Sequence, residues 1–212
     1  MKQLNLKAQI KRTFKKSKTV SIDDPRIASN RLNRHFNVSY PNQTWVADIT
    51  EIKLKDGQKG YLAAFMDLYS RRIVGWEFES HIRSELVELA LQRALWNRKP
   101  PRGLMVHTDQ GSQFVSSAYK QLLKEWGIQA SMSRRDNCWD NAVIERFFKT
   151  LKTEEIYQLP RRLNLIEMRS TIAAFITHYN EIRPHSSNDG LSPDQKEQKR
   201  KEEIAKLDTK NC

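Results

Sequence analysis

The sequence predicts an α/β fold, with a five-stranded mixed sheet and helices on both of its faces. Three segments of strand-like composition follow one another from residue 44 to residue 78, joined by short links. The hydrophobic period then changes, and helical and extended segments alternate up to residue 182. With 212 residues, 38% of them hydrophobic, the chain is long enough to bury one sizeable core.

The first three segments predict an antiparallel meander. Residues 44–54 place hydrophobic side chains among threonines and a lysine, and Asp56-Gly57 is a turn signal. Residues 60–68 and 72–78 are rich in aromatic and β-branched residues, which favour strands. Because the links between these segments are short, consecutive strands are expected to pair antiparallel.

The remaining segments predict alternating helices and strands. Residues 104–107 and 128–132 read as short hydrophobic strands. Helical periodicity covers residues 82–97, 116–126, the residues from 141 onward, 163–182 and, as an exposed helix, 195–207. Helices that intervene between strands allow parallel pairing, so the predicted sheet is mixed.

Positive charge is concentrated at the beginning of the chain. The formal net charge is +12, and residues 1–40 contribute +8 of it, from ten Lys or Arg against two acids. A basic arm on a nearly balanced domain is typical of proteins that bind nucleic acid. The alternative is a solvated arm that only aids solubility. On the first interpretation, the basic residues expected to contact nucleic acid include Lys11, Arg12, Lys15 and Lys16.

The composition argues against several classes of protein. Two cysteines, Cys138 and Cys212, cannot build a disulfide framework, and without a CxxC motif a structural zinc site of that kind is not expected. The hydrophobic run 61–66 stops far short of the roughly 20 residues that a membrane helix needs. No signal peptide is visible. We therefore expect a cytoplasmic protein without a membrane partner.

Three acids stand out by their positions. Asp48 lies inside the first predicted strand, Asp109 follows the fourth, and Glu145 lies in the first turns of an amphipathic helix. Taken singly, each has an ordinary explanation: a satisfied structural acid, a cap, or an ion-pair partner for Lys149. As a set, they offer the ligands that two divalent cations need in order to act on a phosphodiester.

The sequence around these acids resembles a known family. The matching strings are Trp45–Thr50, Asp67–Trp76, His107–Phe114, Ser131–Arg134 continuing to Asp140–Ala142 and Glu145–Lys149, His178–Asn180, Arg183–His185 and Leu191–Pro193. Together they are similar to bacterial insertion-sequence transposases of the two-frame type, whose second-frame product, OrfB, has a retroviral-integrase-like core. Sixty residues separate Asp48 from Asp109, and 35 separate Asp109 from Glu145, which is the spacing of the DD(35)E group. The resemblance covers about residues 26–195.

The resemblance implies a ribonuclease H-like fold and transesterification of DNA. It makes Asp48, Asp109 and Glu145 the ligands of two Mg²⁺ ions, for which Mn²⁺ can substitute. It further implies double-stranded DNA, both transposon ends and target, as the substrate. The resemblance also implies that further copies of the chain assemble on DNA. The first-frame product OrfA, bound or fused, is another expected partner, because no helix-turn-helix is recognisable in this sequence.

Side chains around the acids carry further expectations. Lys149 and Lys152 resemble paired lysines that lie along the DNA end in related integrases, and a solvated helix face is the alternative. Two arginines before the helix, Arg134 and Arg135, are also expected DNA contacts. Asn141 is expected to cap the helix.

Four regions follow from this interpretation: a basic arm (1–40), an integrase-like catalytic core (41–160), a C-terminal helical extension (161–195) and a polar tail (196–212). Two other functions stay open at this point. One is a ribonuclease H-like nuclease that cuts without joining. The other is a non-catalytic DNA-binding copy that regulates transposition, which the short N-terminal region allows.

Overall fold

A computed structural model describes residues 27–134 and 138–208 of the chain. Its strands are β1 (Thr44–Lys53), β2 (Lys59–Asp67), β3 (Ile73–Glu79), β4 (Met105–Thr108) and β5 (Gln129–Met132). Its helices are α1 (Ser84–Arg98), α2 (Ser117–Glu125), α3 (Ala142–Thr150), α4 (Leu165–Glu181) and α5 (Pro193–Asp208). None of the described helices has the combination of length and hydrophobicity that crossing a membrane requires.

The five strands form one mixed sheet in the order β3-β2-β1-β4-β5. The pairs β1–β2 and β2–β3 are antiparallel, because short turns connect them. The pairs β1–β4 and β4–β5 are parallel, since α1 and α2 provide the crossovers that parallel strands need. The predicted five-stranded mixed sheet is confirmed.

Hydrophobic cores on both sides of the sheet follow from the alternation of side chains along β1. Val46 and Ile52 face a core that includes α3 and α4. Trp45 and Ala47 face a second core, formed with α1 and α2. Because neighbouring side chains of a strand point to opposite faces, one strand contributes to both cores. The prediction of helices on both faces is confirmed.

Helix α1 lies unusually close to the sheet at Gly75. A Cβ atom added at this position would overlap the backbone oxygen of Ala90 and the side chain of Ala94. The small residues on both elements therefore let helix and strand approach, and a larger side chain at residue 75 would push α1 away.

Part of the predicted basic arm is attached to the core. Leu32 is buried within the core on the α3 side. The backbone N–H groups of Arg31 and Leu32 donate to the Ser131 hydroxyl at 2.9 and 3.1 Å. The described residues of the arm, 27–40, thus belong structurally to the domain, which a composition-based boundary at residue 40 could not reveal.

The predicted start of the polar tail, residue 196, falls inside α5. Most of this helix is exposed, but Glu197 is buried and accepts hydrogen bonds from the Ser70 hydroxyl and the Arg98 guanidinium, both at 2.7 Å. These contacts attach the beginning of α5 to the turn between β2 and β3 and to the end of α1. Because residues 196–208 are polar in composition, the sequence did not indicate that Glu197 is buried.

Candidate active site

Two of the predicted acids come from neighbouring parallel strands. Asp48 lies in β1, and Asp109 follows directly after the last residue of β4. The parallel register pairs Val46 with His107. Continued by two residues, this register sets Asp48 beside Asp109. Adjacent parallel strands therefore bring both carboxylates, each half-buried, to one edge of the sheet.

The backbone that follows Asp109 binds its carboxylate. The N–H group of Gly111 donates to Asp109 Oδ1 at 2.9 Å. A Cβ atom added to Gly111 would lie at the same distance, 2.9 Å, from this oxygen. A side chain at residue 111 would therefore crowd the Asp109 carboxylate. Glycine is favoured there because this contact is close, and not because of its backbone dihedral angles, which any residue can adopt.

Helix α3 presents the third acid, Glu145, on an exposed part of its surface. The buried side of the helix, Ile144, Phe147 and Phe148, packs into the core. The helix contacts β1 and β2. Its start is fixed by Asn141, whose side-chain amide donates to the backbone oxygen of Ala47, the residue before Asp48, at 3.0 Å.

The three acids repel one another electrostatically. Burial raises the pKa of Asp48 well above its usual range, and the charges of Asp109 and Glu145 raise it further, while Lys152 partly offsets them. Burial also raises the pKa of Asp109, against the hydrogen bond from Gly111. Desolvation and the charge of Asp109 raise the pKa of Glu145. The cluster thus holds negative charge that its own protein surroundings compensate poorly.

Such a cluster fits a divalent cation. Its donors are all carboxylates, the ligands that hard cations such as Mg²⁺ prefer, and a bound cation would relieve the repulsion that raises their pKa values. Within residues 27–134 and 138–208, no three acidic, histidine or cysteine side chains already converge as a coordination shell. Binding would therefore draw Asp48, Asp109 and Glu145 together.

His107 is a packed strand histidine next to this site. It is fully buried, and its Nδ1 atom lies 2.8 Å from the Ser131 hydroxyl oxygen. That oxygen already accepts two backbone N–H groups, so the hydroxyl donates to Nδ1 and the ring carries its proton on Nε2. Burial lowers the pKa of His107 to about 4, and the neutral ring connects β4 to β5.

The two predicted DNA-contacting lysines occupy different surroundings. Lys149 is exposed on α3. Lys152 is half-buried, and its ammonium group donates to the Thr50 hydroxyl of β1 at 2.6 Å. Lys152 lies in a π-helical turn, Leu151–Glu155, that follows α3. Burial lowers the pKa of Lys152, although Glu51 and Asp48 raise it.

The predicted contact residue Arg134 has a carboxylate partner within the protein. Its Nε and one terminal nitrogen donate to Asp140 at 3.1 Å each, and its side chain is still 53% exposed. A contact with DNA would therefore compete with this ion pair or share the guanidinium with it. The other predicted contacts, Lys11, Arg12, Lys15, Lys16 and Arg135, lie outside the described residues and stay predictions.

Two residues beside the site have roles that sequence reasoning missed. Asn141 occupies the N-cap position of α3, as predicted, but within the described chain its side chain makes no capping hydrogen bond and donates to the backbone oxygen of Ala47 in β1 instead. Asp140 is fully buried. Arg134, six residues before Asp140 in the sequence, indicated a possible ion pair with it. The second cationic partner of Asp140, Arg34, lies 106 residues away in the sequence.

Comparison with protein families identifies the domain. Two family models, both described as "Integrase core domain", match residues 39–138 and 126–193. Transposase InsF for insertion sequence IS3A of Escherichia coli (strain K12) is 41% identical over 177 residues, which are 82% of this chain and 60% of the relative. The transposase for insertion sequence element IS904 of Lactococcus lactis subsp. lactis (strain IL1403) is 41% identical over 164 residues, 77% of this chain and 64% of that one.

Solved structures support the same fold. The HTLV-2 integrase catalytic core domain in complex with magnesium, in its dimeric form, matches with a TM-score of 0.58 and 20% identity, covering 74% of this chain and 97% of that one. Its trimeric form matches with a TM-score of 0.59 and 21% identity, covering 74% and 96%. The predicted ribonuclease H-like fold is thereby confirmed.

The matches also delimit what is shared. This chain spans about 60% of the length of the transposases that it resembles. The two family models together cover residues 39–193, which is about three quarters of this chain. Sequence identity, family models and fold agree. The chain belongs to the integrase core domain family, and the relatives that it resembles are transposases of insertion sequences.

Proposed function

We propose that this chain forms the catalytic part of a transposase that cuts and joins DNA with the help of divalent cations. The observation that carries the proposal is the register of β1 and β4, which sets Asp48 beside Asp109, together with the repulsion between neighbouring acids that raises the pKa of Asp48 and of Glu145 on α3. Carboxylates in such surroundings are characteristic of functional sites.

In this proposal Asp48, Asp109 and Glu145 hold two Mg²⁺ ions, with Mn²⁺ as a substitute. When bound, the ions neutralise charge on the entering and leaving oxygens of the phosphodiester. The protein contributes position. The register of β1 and β4 sets the two aspartates side by side, and Asn141 holds the start of α3 against β1.

Positive side chains near the acids would bind the DNA backbone. Lys149 is exposed and can reach phosphate as a flexible point charge. Lys152 lies beside β1, where its ammonium group partly offsets the charge of Asp48. Neither lysine can read a base from its charge alone, so both would bind transposon ends and target DNA without sequence preference.

The proposed setting of the reaction follows from the family. We expect the chain to act in the bacterial cytoplasm, as a homo-oligomer on DNA, with the first-frame product OrfA as a partner or fused to it. OrfA would recognise the transposon ends, because no helix-turn-helix is identified among the described residues of this chain.

A strand-transfer assay tests the proposal. Purified protein is incubated with duplex DNA that carries the terminal repeats flanking its gene, in Mg²⁺, in Mn²⁺ or with a chelator. We expect cleavage and joining with either metal and neither reaction with the chelator. Cleavage without joining would indicate a nuclease, and binding without either reaction would indicate a regulatory copy. The same assay on a fusion with OrfA shows whether the chain needs that partner.

A further inference from the structure

A cluster of polar side chains surrounds Asp140, just before α3. The buried Asp140 carboxylate accepts hydrogen bonds from the Asn30 amide and from Arg34 Nε, both at 2.8 Å. It also accepts the backbone N–H of Arg134 and two guanidinium nitrogens of that residue, all at 3.1 Å. These bonds hold the pKa of Asp140 well below its usual range, so it is charged at neutral pH. We call Asn30, Arg34, Arg134 and Asp140 the Asp140 clasp.

The clasp acts on the residue that fixes the start of α3. Asp140 is joined directly to Asn141, which donates to the backbone oxygen of Ala47. The helix is thus held at its beginning from two directions, by the clasp and by β1. Glu145 lies four residues after Asn141, on the same side of the helix. A displacement of the helix start would therefore move Glu145 relative to Asp48.

The segment that carries half of the clasp is itself held in one shape. Leu32 is buried in the core, and the side-chain oxygen of Asn30 accepts the N–H group of Asn33 at 2.8 Å. Asn33 and Arg34 have φ angles of 42° and 62°. Residues other than glycine adopt this left-handed conformation rarely, and it persists only where surrounding contacts impose it. Here the turn brings the Arg34 guanidinium to Asp140.

We propose that the Asp140 clasp positions Glu145 for metal binding, and that Asp140, Arg34 and Asn30 are positioning residues for the reaction. The proposal rests on the proposed function, since it takes Glu145 to be a metal ligand. Groups that orient metal ligands without contacting the metal typically change metal affinity or activity about 10–100-fold when they are replaced. A clasp that serves only to stabilise the fold would change the melting temperature and nothing at the site.

The test compares Asp140→Asn and Arg34→Gln with a matched control, Arg161→Gln. Arg161 forms a two-bond ion pair with Glu167 that is more exposed than the clasp and lies at the start of α4. Hydrogen exchange of the α3 amides is measured on the metal-free protein, and the Mg²⁺ concentration for half-maximal strand transfer is measured well below the melting temperature. Arg34→Lys, which keeps the charge, is included as a rescue variant.

We expect both clasp variants to speed exchange in α3 relative to α4 and to raise the Mg²⁺ requirement about tenfold or more. Arg34→Lys should lie between Arg34→Gln and the wild type, and Arg161→Gln should leave α3 and the Mg²⁺ requirement unchanged. If Asp140→Asn does not fold, Arg34→Gln and Asn30→Ala each remove part of the clasp and give the same readouts.

Unchanged α3 exchange and an unchanged Mg²⁺ requirement in folded clasp variants would overturn the proposal, even if their melting temperatures fall. The two proposals can fail separately. If the wild type joins no DNA under any condition, the proposed function fails, while faster α3 exchange in Asp140→Asn, together with a weaker stabilisation by Mg²⁺, would still support the clasp.

Discussion

Asp48 and Asp140 are acids of the same kind within one domain, yet their surroundings are opposite. Asp140 meets two guanidinium groups, which lower its pKa, and accepts a hydrogen bond from an amide. Asp48 accepts the N–H of Ile49 at 2.7 Å and faces the charges of Asp109 and Glu145, which raise its pKa. Removing a carboxylate from water is costly unless partners replace the water. The partners of Asp140 are built into the chain, whereas those of Asp48 would have to come from outside.

A third acid shows that a raised pKa alone does not mark a site. Asp67 is fully buried, and burial raises its pKa to about 6. It nevertheless accepts the N–H groups of Asn42 and Tyr69 at 2.7 and 2.9 Å, and Arg98 lies 3.4 Å away. Asp67 also faces the like charge of Glu197, so the cluster of Asp48, Asp109 and Glu145 is distinguished by how few partners compensate its charges, not by burial itself.

The largest expected effect is the loss of DNA joining when a carboxylate of the Asp48 cluster becomes an amide. Asp48→Asn, Asp109→Asn or Glu145→Gln should reduce the rate of strand transfer by about 10²–10³-fold or more. The reason is that bound metal ions stabilise charge in the transition state by several kcal/mol, and each ~1.4 kcal/mol lost reduces the rate about tenfold. Rates of joining are measured in Mg²⁺ with each variant at equal concentration.

A matched control is Asp56→Asn, which removes one negative charge from the turn between β1 and β2. Asp56 has a φ angle of 56°, and asparagine tolerates this conformation as well as aspartate does. Its strand transfer should equal that of the wild type. Near wild-type joining by any of the three cluster variants would remove that acid from the site.

A second expected effect is on stability, with opposite signs for the two kinds of acid. Asp140→Asn should destabilise the fold by roughly 2 kcal/mol, since it loses charge-assisted hydrogen bonds to two partly exposed arginines, and this lowers the melting temperature by about 4–8 °C. Asp48→Asn should raise the melting temperature in a chelator by up to about 4 °C, because repulsion at a functional site is relieved.

Calorimetric or fluorescence melting at pH 7 gives both values. Mg²⁺ should then raise the melting temperature of the wild type and of Asp140→Asn, but not that of Asp48→Asn. A stabilised Asp140→Asn, or a destabilised Asp48→Asn, would invalidate the distinction between compensated and uncompensated acids.

The pH dependence should separate the same two acids. The folded-state pKa of Asp48 is raised above its unfolded value, so the folded protein binds more protons and stability falls as pH rises through that pKa. The advantage of Asp48→Asn should therefore grow as the pH rises through that pKa and disappear as the solution is acidified. The pKa of Asp140 is lowered, so its contribution is present above the unfolded value of about 3.9 and is lost on acidification below it.

Melting curves of the wild type and the two variants between pH 3 and pH 8, without divalent metal, measure the change due to Asp48 and the onset of the loss due to Asp140. If the advantage of Asp48→Asn is the same at every pH, the stabilisation comes from packing and not from the removal of charge.

The smallest expected effect distinguishes the two lysines. Lys149→Gln should reduce the slope of log affinity for duplex DNA against log salt by about 0.9, the contribution of one phosphate contact, with a stability change within about 0.5 kcal/mol. Lys152→Gln should also lower the melting temperature, because it loses the hydrogen bond to Thr50. Salt titrations with a labelled duplex, paired with melting curves, give both. An unchanged slope for Lys149→Gln would leave that lysine as a solvated side chain.

The sequence predicted those elements whose signals are local. The strands β1, β2 and β3 follow from β-branched and aromatic runs with a turn at Asp56-Gly57, and their order in the sheet follows from short links. The π-helical turn Leu151–Glu155 has no such local signal, because its sequence does not distinguish it from a regular helical turn. The contact of Lys152 with Thr50, 102 residues away in the sequence, was likewise not predictable.

The sequence by itself determined the fold class through its period and turn residues. Through the resemblance of its motif strings to a known family, it also determined the choice of Asp48, Asp109 and Glu145 as candidate ligands. Only the tertiary structure decided which acids are compensated. Arg34 reaches Asp140 across 106 residues, Lys152 reaches Thr50 across 102, and Asn141 reaches Ala47 across 94. Such contacts depend on sheet register and helix packing. The electrostatic difference between scaffold and site therefore arises only when the chain is folded.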